Sequence, residues 1–356
     1  MSIVKDSAIV AIDGSVVVVI IVAAGALMTR IGALDKAASE GLSKLTLNLL
    51  LPALLFTQMI KSLDIGKVDK FGILLFFCTL HILLGSLIGW VLAKITSASQ
   101  NMTRLIITCI AFQDTTAVPL IFAEVLGNGD VTKDDPTFSE DAVSYVLIYT
   151  VFVTVYKWTV AYGMLKSPGP AEMLPYSTDV PFKQSCWWTF KKIMNPPIYA
   201  TLVSIPLALI PYMKEYVFTG SGAVLNHNLF SALVTIGSTA SPLICVLLGS
   251  KLSHGYPSSA DISKLHIAVI LFGKEVLMPL IGMGFVLLFY HYSYIDRILS
   301  IMLLIIYAGP TSLQLLMICT AHNNHVDNIS KLYMIMYLTA VIPMAGWTMG
   351  FLVIFY

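Results

Sequence analysis

The feature that most constrains this chain is a succession of apolar stretches, each about as long as the ~20 residues a helix needs to cross a bilayer core. That ruler gives ten candidates, at roughly 8–29, 42–61, 70–95, 103–126, 142–166, 195–213, 226–250, 264–290, 297–320 and 330–355. Of the 356 residues, 57% are hydrophobic and 12% charged. A soluble domain carries roughly 25% charge, so these polar residues cannot coat a protein of this size and lipid must solvate most of its surface. The expected fold class is an all-α polytopic membrane protein. A net charge of +1 with no basic face argues against nucleic acid as a partner. The cysteines Cys78, Cys109, Cys186, Cys245 and Cys319 form no CxxC pair and four lie inside apolar runs. They read as packing residues, and no metal or cofactor is expected. Met1 to Asp13 carries charges and no cleavage-like site, so the first span is expected to direct insertion.

The longest polar stretch, 167–194, follows the fifth span and contains Ser167-Pro168-Gly169-Pro170 and Lys183, Lys191 and Lys192. Trp187, Trp188 and Phe190 beside those lysines suggest an interfacial segment. The chain then divides into residues 1–166, a cytosolic linker at 167–194, and residues 195–356. With the N-terminus outside the cytosol, cytosolic loops hold 12 Lys and Arg and the opposite side holds 7. That bias favours both termini non-cytosolic; the expected location is the endoplasmic reticulum membrane or the plasma membrane. Asn101-Met102-Thr103 and Asn328-Ile329-Ser330 would then be cytosolic sequons and unmodified. Five spans per half put the second half upside down relative to the first, the inverted-repeat pattern of many secondary transporters.

The halves echo each other. Span 2 carries Leu51-Pro52-Ala53-Leu54-Leu55 and span 7 carries Ser241-Pro242-Leu243-Ile244-Cys245. Span 4 is interrupted at Gln113-Asp114-Thr115-Thr116-Ala117-Val118-Pro119, and span 9 at Ala308-Gly309-Pro310-Thr311-Ser312. A single proline usually only kinks a membrane helix. Interrupted segments at corresponding positions of two halves point to a binding site. With these motifs, Gly41-Leu42-Ser43-Lys44 through Phe56, Asn195-Pro196-Pro197 opening span 6, and Leu248-Gly249 in span 7, the chain resembles the auxin efflux carrier family, which includes the PIN and PIN-LIKES proteins. The resemblance covers nearly the whole length, and the short central loop is more similar to PIN-LIKES and fungal relatives than to PINs.

That resemblance implies ten helices, with helices 4 and 9 unwinding and crossing at the membrane midplane where a substrate carboxylate sits. It implies a scaffold of helices 1, 2, 6 and 7, with helices 3–5 and 8–10 as a mobile transport domain in an elevator-type mechanism. The expected activity is secondary transport or facilitation of a small organic anion, an auxin-like carboxylate, with a possible homodimer through the scaffold. Many family members carry Gly-Asn-x-Gly-Asn-x-Pro-Leu in helix 4. Here Asp114 stands five positions before Pro119 and Ala117 two before it, so an anionic residue replaces a neutral amide.

Physical chemistry gives the candidate site its residues. A break at mid-bilayer frees backbone groups that lipid cannot satisfy, so it survives only inside protein or around a wet cavity. It also points half-helix N-termini, which carry partial positive charge, at the crossing point. The substrate-binding candidates are Gln113, Asp114, Thr115, Thr116, Pro119, Gly309, Pro310, Thr311, Ser312 and Gln314. The alternative is that the hydroxyls bond back to their own helices. Ionisable residues within spans cost several kcal/mol in lipid on insertion scales, which marks Asp114, His81, Lys157, Lys274 and Glu275 as coupling or charge-relay candidates. Internally paired bridges of purely structural role are the competing reading. Helical neighbours point about 100° apart, so Lys274 and Glu275 are expected to meet other helices rather than each other. Asp13 lies shallower, near the interface. A ligand sensor acting through a partner protein is the alternative function. The spans hold no HExxH, GxSxG or paired-aspartate motif for an intramembrane enzyme, and the chain holds no Walker A sequence.

Overall fold

The computed structural model describes residues 20–62, 68–115, 119, 120, 122, 123, 126, 137–166, 196–220, 222–253 and 262–355. Asp13, Thr116, Cys186, the acidic loop near 130–135 and the linker 167–194 lie outside the described residues. Among the described residues the chain is almost entirely helical. In chain order the helices are α1 (Ile20–Arg30), α2 (Lys36–Lys61), α3 (Val68–Ile95), α4 (Gln100–Ala111), α5 (Phe138–Met164), α6 (Pro196–Leu209) and α7 (Met213–Thr219). After these come α8 (Asn228–Ser250), α9 (Lys264–His291), α10 (Arg297–Ala308), α11 (Gln314–His322), α12 (Val326–Thr339) and α13 (Val341–Phe355).

Five of these helices, α2, α3, α5, α8 and α9, are long and apolar enough to cross a membrane. Counting each bent pair as one span, α6 with α7 at 117° and α12 with α13 at 50°, brings the number to seven. Five to seven of the ten spans expected from the apolar ruler therefore stand as membrane-length helices among the described residues. Spans 1, 4 and 9 do not pass as single helices: the first is described only from Ile20, and the other two are interrupted into short pieces. The α6–α7 bend falls at Ile210-Pro211, where the residue before proline is pushed out of the helical region. The start of α2 lies at Lys36, six residues before the expected 42, because Asp35 accepts from the Ala38 amide at 2.7 Å and caps it. The apolar ruler does not register such a polar turn.

Lipid tails are as apolar as leucine, so helix association here relies on close van der Waals packing at small residues. A Cβ on Gly25 of α1 would stand 2.2 Å from the Val246 carbonyl oxygen, and one on Gly249 of α8 1.9 Å from that of Val22. Thr29 Oγ1 adds a 2.9 Å hydrogen bond to Ser250 between the same two helices. Helix α2 packs on α6 and α8, while α3 packs along α4 and α9 along α10. At the centre stands α10. Every residue from Ile298 to Ala308 is buried, which suits a helix with no polar face. The apolar outer faces, including Leu83, Leu87, Leu202, Val203, Leu280 and Ile342, are exposed in the isolated chain, as lipid contact requires.

Candidate functional site

Helix α4 ends because Phe112 turns extended, with φ −116° and ψ 102°. Helix α10 ends the same way at Gly309, with φ −62° and ψ 149°. The two breaks lie side by side. The Asp114 amide donates to the Pro310 carbonyl at 2.7 Å and the Ser312 amide to the Phe112 carbonyl at 3.0 Å, with Gln113 opposite Thr311 in an antiparallel bridge. A Cβ at Gly309 would already lie 3.2 Å from the Asp114 carbonyl oxygen, so a larger side chain there would crowd the pairing.

A helix that ends inside protein leaves its last carbonyls to be satisfied by other groups. At α4, Thr311 Oγ1 donates to the Cys109 carbonyl at 2.5 Å and Lys274 Nζ to the Ile110 carbonyl at 3.4 Å. A cation at the negative end of a helix dipole has the favourable sign. At the second break, the Tyr337 hydroxyl donates to the Thr311 carbonyl at 3.2 Å and the Tyr333 hydroxyl to the Ser312 carbonyl. The Thr311 amide meets Met336 Sδ at 3.3 Å, and Thr150 Oγ1 donates to the Thr115 carbonyl at 2.9 Å. These hydroxyls act across helices; Thr150 also bonds back to Val146. Thr150, Tyr333, Met336 and Tyr337 were missed by the sequence reading. A Tyr-x-x-x-Tyr stripe in the apolar second half of α12 was the available signal.

In extended chain successive side chains alternate sides. Gln113, Thr115 and Thr311 therefore face one way, and Asp114 and Ser312 the other. On the first side Gln113 Nε2 donates to the Tyr149 hydroxyl at 3.3 Å, while Gln113 Oε1 and Thr115 Oγ1 are buried without a hydrogen-bond partner. On the other side the ammonium of Lys157, itself 2% exposed, donates to Ser312 Oγ at 2.8 Å and to Gln314 Oε1 at 3.2 Å. The Asp114 carboxylate is half-buried and close enough for its charge to act on that ammonium. Pro119 is buried just beyond the break.

The other charge-relay candidates stand behind this locus. Fully buried Lys274 reaches the α4 terminus as described, and its charge acts on His81. The His81 ring packs edge-to-face on Tyr307 with centroids 4.3 Å apart, and neither ring nitrogen has a hydrogen-bond partner. Glu275 points elsewhere, accepting from Thr339 Oγ1 at 3.2 Å. Lys274 and Glu275 thus meet different helices. Lys157 and Lys274 each sit in a π-helical turn, Lys157–Ala161 and Phe272–Leu277. Such turns recur at functional sites, although Thr46–Leu50, Met213–Thr219 and Asn226–Phe230 form them as well.

A cavity of about 1030 Å³ opens on the end of the molecule where α4 begins and α11 ends, lined by Lys36, Ser43, Asn101, Trp158, Asn324 and Asn328 among others. Trp158, which lines the cavity, follows Lys157 in the chain. Among the described residues no group of three or more His, Cys, Asp or Glu could hold a metal ion.

Comparison with known proteins adds the following. The family described as Membrane transport protein matches residues 11–348. A Saccharomyces cerevisiae protein named as an uncharacterized transporter, YBR287W, is 24% identical over 73% of this chain and 73% of its own length. Protein PIN-LIKES 6 of Arabidopsis thaliana is 22% identical over 86% of this chain and 83% of that protein. Protein PIN-LIKES 1 of the same plant is 22% identical over 91% of this chain and 75% of that protein.

Proposed function

The chain belongs to the membrane transport protein family, that of the auxin efflux carriers and PIN-LIKES proteins, and on that premise we propose that it is a secondary transporter or facilitator of a small organic anion. The observation that carries this reading is the pairing of two helix breaks, Phe112–Thr115 and Gly309–Ser312, beside a buried ammonium. The amides of Leu313 and Gln314 open α11 at the positive end of its dipole, while the next two amides, Leu315 and Leu316, already donate to the Ser312 and Leu313 carbonyls, both at 3.1 Å. A carboxylate placed there meets backbone donors, Ser312 and Lys157 on one face. In this reading the ten spans form two inverted repeats, 1–166 and 195–356, and helices 4 and 9 are the crossing pair. Two packing relations support the repeat. Lys274, in span 8, reaches the end of α4, and His81, in span 3, packs on Tyr307 at the end of α10. Each is the third helix of one half against the fourth helix of the other.

The contacts of α1, α2, α6 and α8 with one another support a scaffold, against which the remaining helices would move as a body in elevator fashion. The cavity near Trp158 then serves as the vestibule of one access state. The test is uptake and efflux of a panel of labelled organic acids by purified protein in proteoliposomes, with and without a pH gradient. Saturable flux of at least one carboxylate, lost on Lys157→Met, is expected. No flux above empty liposomes for any member of the panel would reject the reading.

A further inference from the structure

Helix α11 runs from the candidate site at Gln314 to His322, and nine residues at 1.5 Å each span only about 13 Å. Whatever fixes its far end therefore also sets the position of its first turn. That far end is held by a cluster of side-chain amides and one imidazole. Asn101 and Asn324 exchange amide hydrogen bonds, both at 3.2 Å, and Asn324 Nδ2 also donates to the Leu165 carbonyl at 3.0 Å. His325 Nε2 lies 3.1 Å from the Asn101 carbonyl oxygen, and His325 Nδ1 lies 3.0 Å from Asn328 Nδ2. Asn328 Oδ1 accepts from the Ile262 amide at 3.1 Å. The starts of α4 and α12, the end of α5 and the approach to α9 are thus tied to one turn. Asn323 and His325 hold that turn in the left-handed region, at φ 47° and 57°.

These contacts determine the imidazole's state. A carbonyl can only accept, so His325 Nε2 carries a proton. The Ile262 amide can only donate, so it fixes the Asn328 amide with its oxygen toward Ile262 and its NH2 toward the ring. His325 Nδ1 must then accept, and the ring is the neutral Nε2–H tautomer. A second proton on Nδ1 would face the Asn328 NH2, donor against donor. Turning the Asn328 amide to relieve that would put its NH2 against the Ile262 amide.

We propose that His325 is a positioning residue whose neutral imidazole closes this clasp on the end of α11, and that its protonation opens the clasp and releases the half-helix. The proposal takes from the reading above only that 309–314 is the site being positioned. An imidazole ordinarily titrates near pH 6.5. Among the described residues, the titratable and charged groups carried by the surrounding elements are Arg104 on α4, Tyr162 on α5, Lys166 after α5, Lys264 and His266 on α9, and His322 on α11. Asp327 and Lys331 are on α12, and Lys36, Glu40 and Lys44 of α2 lie across the cavity. Lys331 Nζ is itself engaged with the Ile262 carbonyl at 3.3 Å.

The test is hydrogen–deuterium exchange of residues 323–329 in the purified full-length protein in micelles, at pH 8 and pH 5, normalised to intrinsic exchange at each pH. Roughly tenfold less protection is expected at pH 5, the factor for losing about 1.4 kcal/mol, or one hydrogen bond. Asn328→Asp keeps an acceptor for Ile262 and offers the second oxygen to an imidazolium. Its protection should be retained or increased at pH 5, reversing the wild-type response. His325→Gln supplies a non-titrating donor and acceptor in place of the ring, and its protection should be independent of pH. Equal wild-type protection at the two pH values overturns the proposal. So does acid loosening that persists in His325→Gln, or a wild-type response in Asn328→Asp. The exchange result stands whether or not flux is found, so a failed clasp and a failed transport reading are distinguishable.

Discussion

Gly85 offers a direct test of how tightly the candidate site is braced. It lies on α3 where that helix crosses the end of α4, and a Cβ there would come 2.6 Å from Ala111 Cα. Ordinary contact begins near 3.4 Å, so Gly85→Ala requires α3 and the α4 terminus to part by about 0.8 Å. The atom in the way is backbone, and no rotamer change can absorb the clash. Gly72, on the same helix, meets nothing within 4 Å. Both substitutions gain the same helix propensity, about 1 kcal/mol, so the difference between them isolates the overpacking. That cost is about 1–3 kcal/mol. Thermal unfolding in detergent should therefore rank Gly85→Ala several degrees below Gly72→Ala. The displaced segment carries the Cys109 and Ile110 carbonyls that Thr311 and Lys274 satisfy, so flux per folded molecule should also fall. Equal stability and flux in the two variants would refute the claim that this crossing fixes the site.

Four further substitutions and one appended sequon bear on the reading. Lys157→Met, of similar length and uncharged, should lower anion affinity at least tenfold while the protein still folds; unchanged affinity would remove Lys157 from the site. Asp114→Asn recreates the common family residue. If proton binding at Asp114 is linked to transport, the variant should bind the anion with no pH dependence between roughly 5 and 8; an unchanged profile, affinity, turnover and stability would make Asp114 a bystander. Pro119→Ala and Pro310→Ala should depress flux more than expression, and a parallel loss of both would assign the prolines to folding alone. Asn101 and Asn328 are engaged in hydrogen bonds within the clasp, with Asn328 7% exposed, so neither is expected to carry glycan in either orientation. An acceptor sequon appended after Tyr356 tests the topology instead, and its remaining unmodified in microsomes would reverse the proposed non-cytosolic C-terminus.

What was legible in the sequence followed from single-residue chemistry with local consequences. Apolar runs of membrane length marked the helices. Gly309-Pro310 and the run from Gln113 to Pro119 marked where helices must stop, since Pro310 cannot donate to Ile306 and disfavours helix at the residue before it. What stayed hidden depends on partners far apart in the chain. Thr311 looked like a residue for ligand, yet its hydroxyl is committed to the Cys109 carbonyl, 202 positions away. Lys274 was marked as a charge-relay residue meeting another helix, and the partner it meets, the Ile110 carbonyl at the end of α4, lies 164 positions away. Tyr333 and Tyr337 drew no role from the sequence, yet they satisfy the carbonyls that the second break exposes.

The same distinction explains why the clasp was overlooked. Asn101 and Asn328 read as sequons because three residues suffice to define one, whereas their structural role needs Asn324, His325 and Ile262 in place together. A helix break inside a membrane must be satisfied at every exposed carbonyl and amide. The groups that do so here come from α5, α9, α12 and the opposing break for the break itself, and from α4, α5 and α12 at the far end of α11. A short half-helix fixed at both ends by other helices can move only with them. Pairing across Gln113 and Thr311 therefore makes the two breaks a single unit, and the hydrogen bonds that satisfy it favour rigid motion of the surrounding helices over independent refolding of either break.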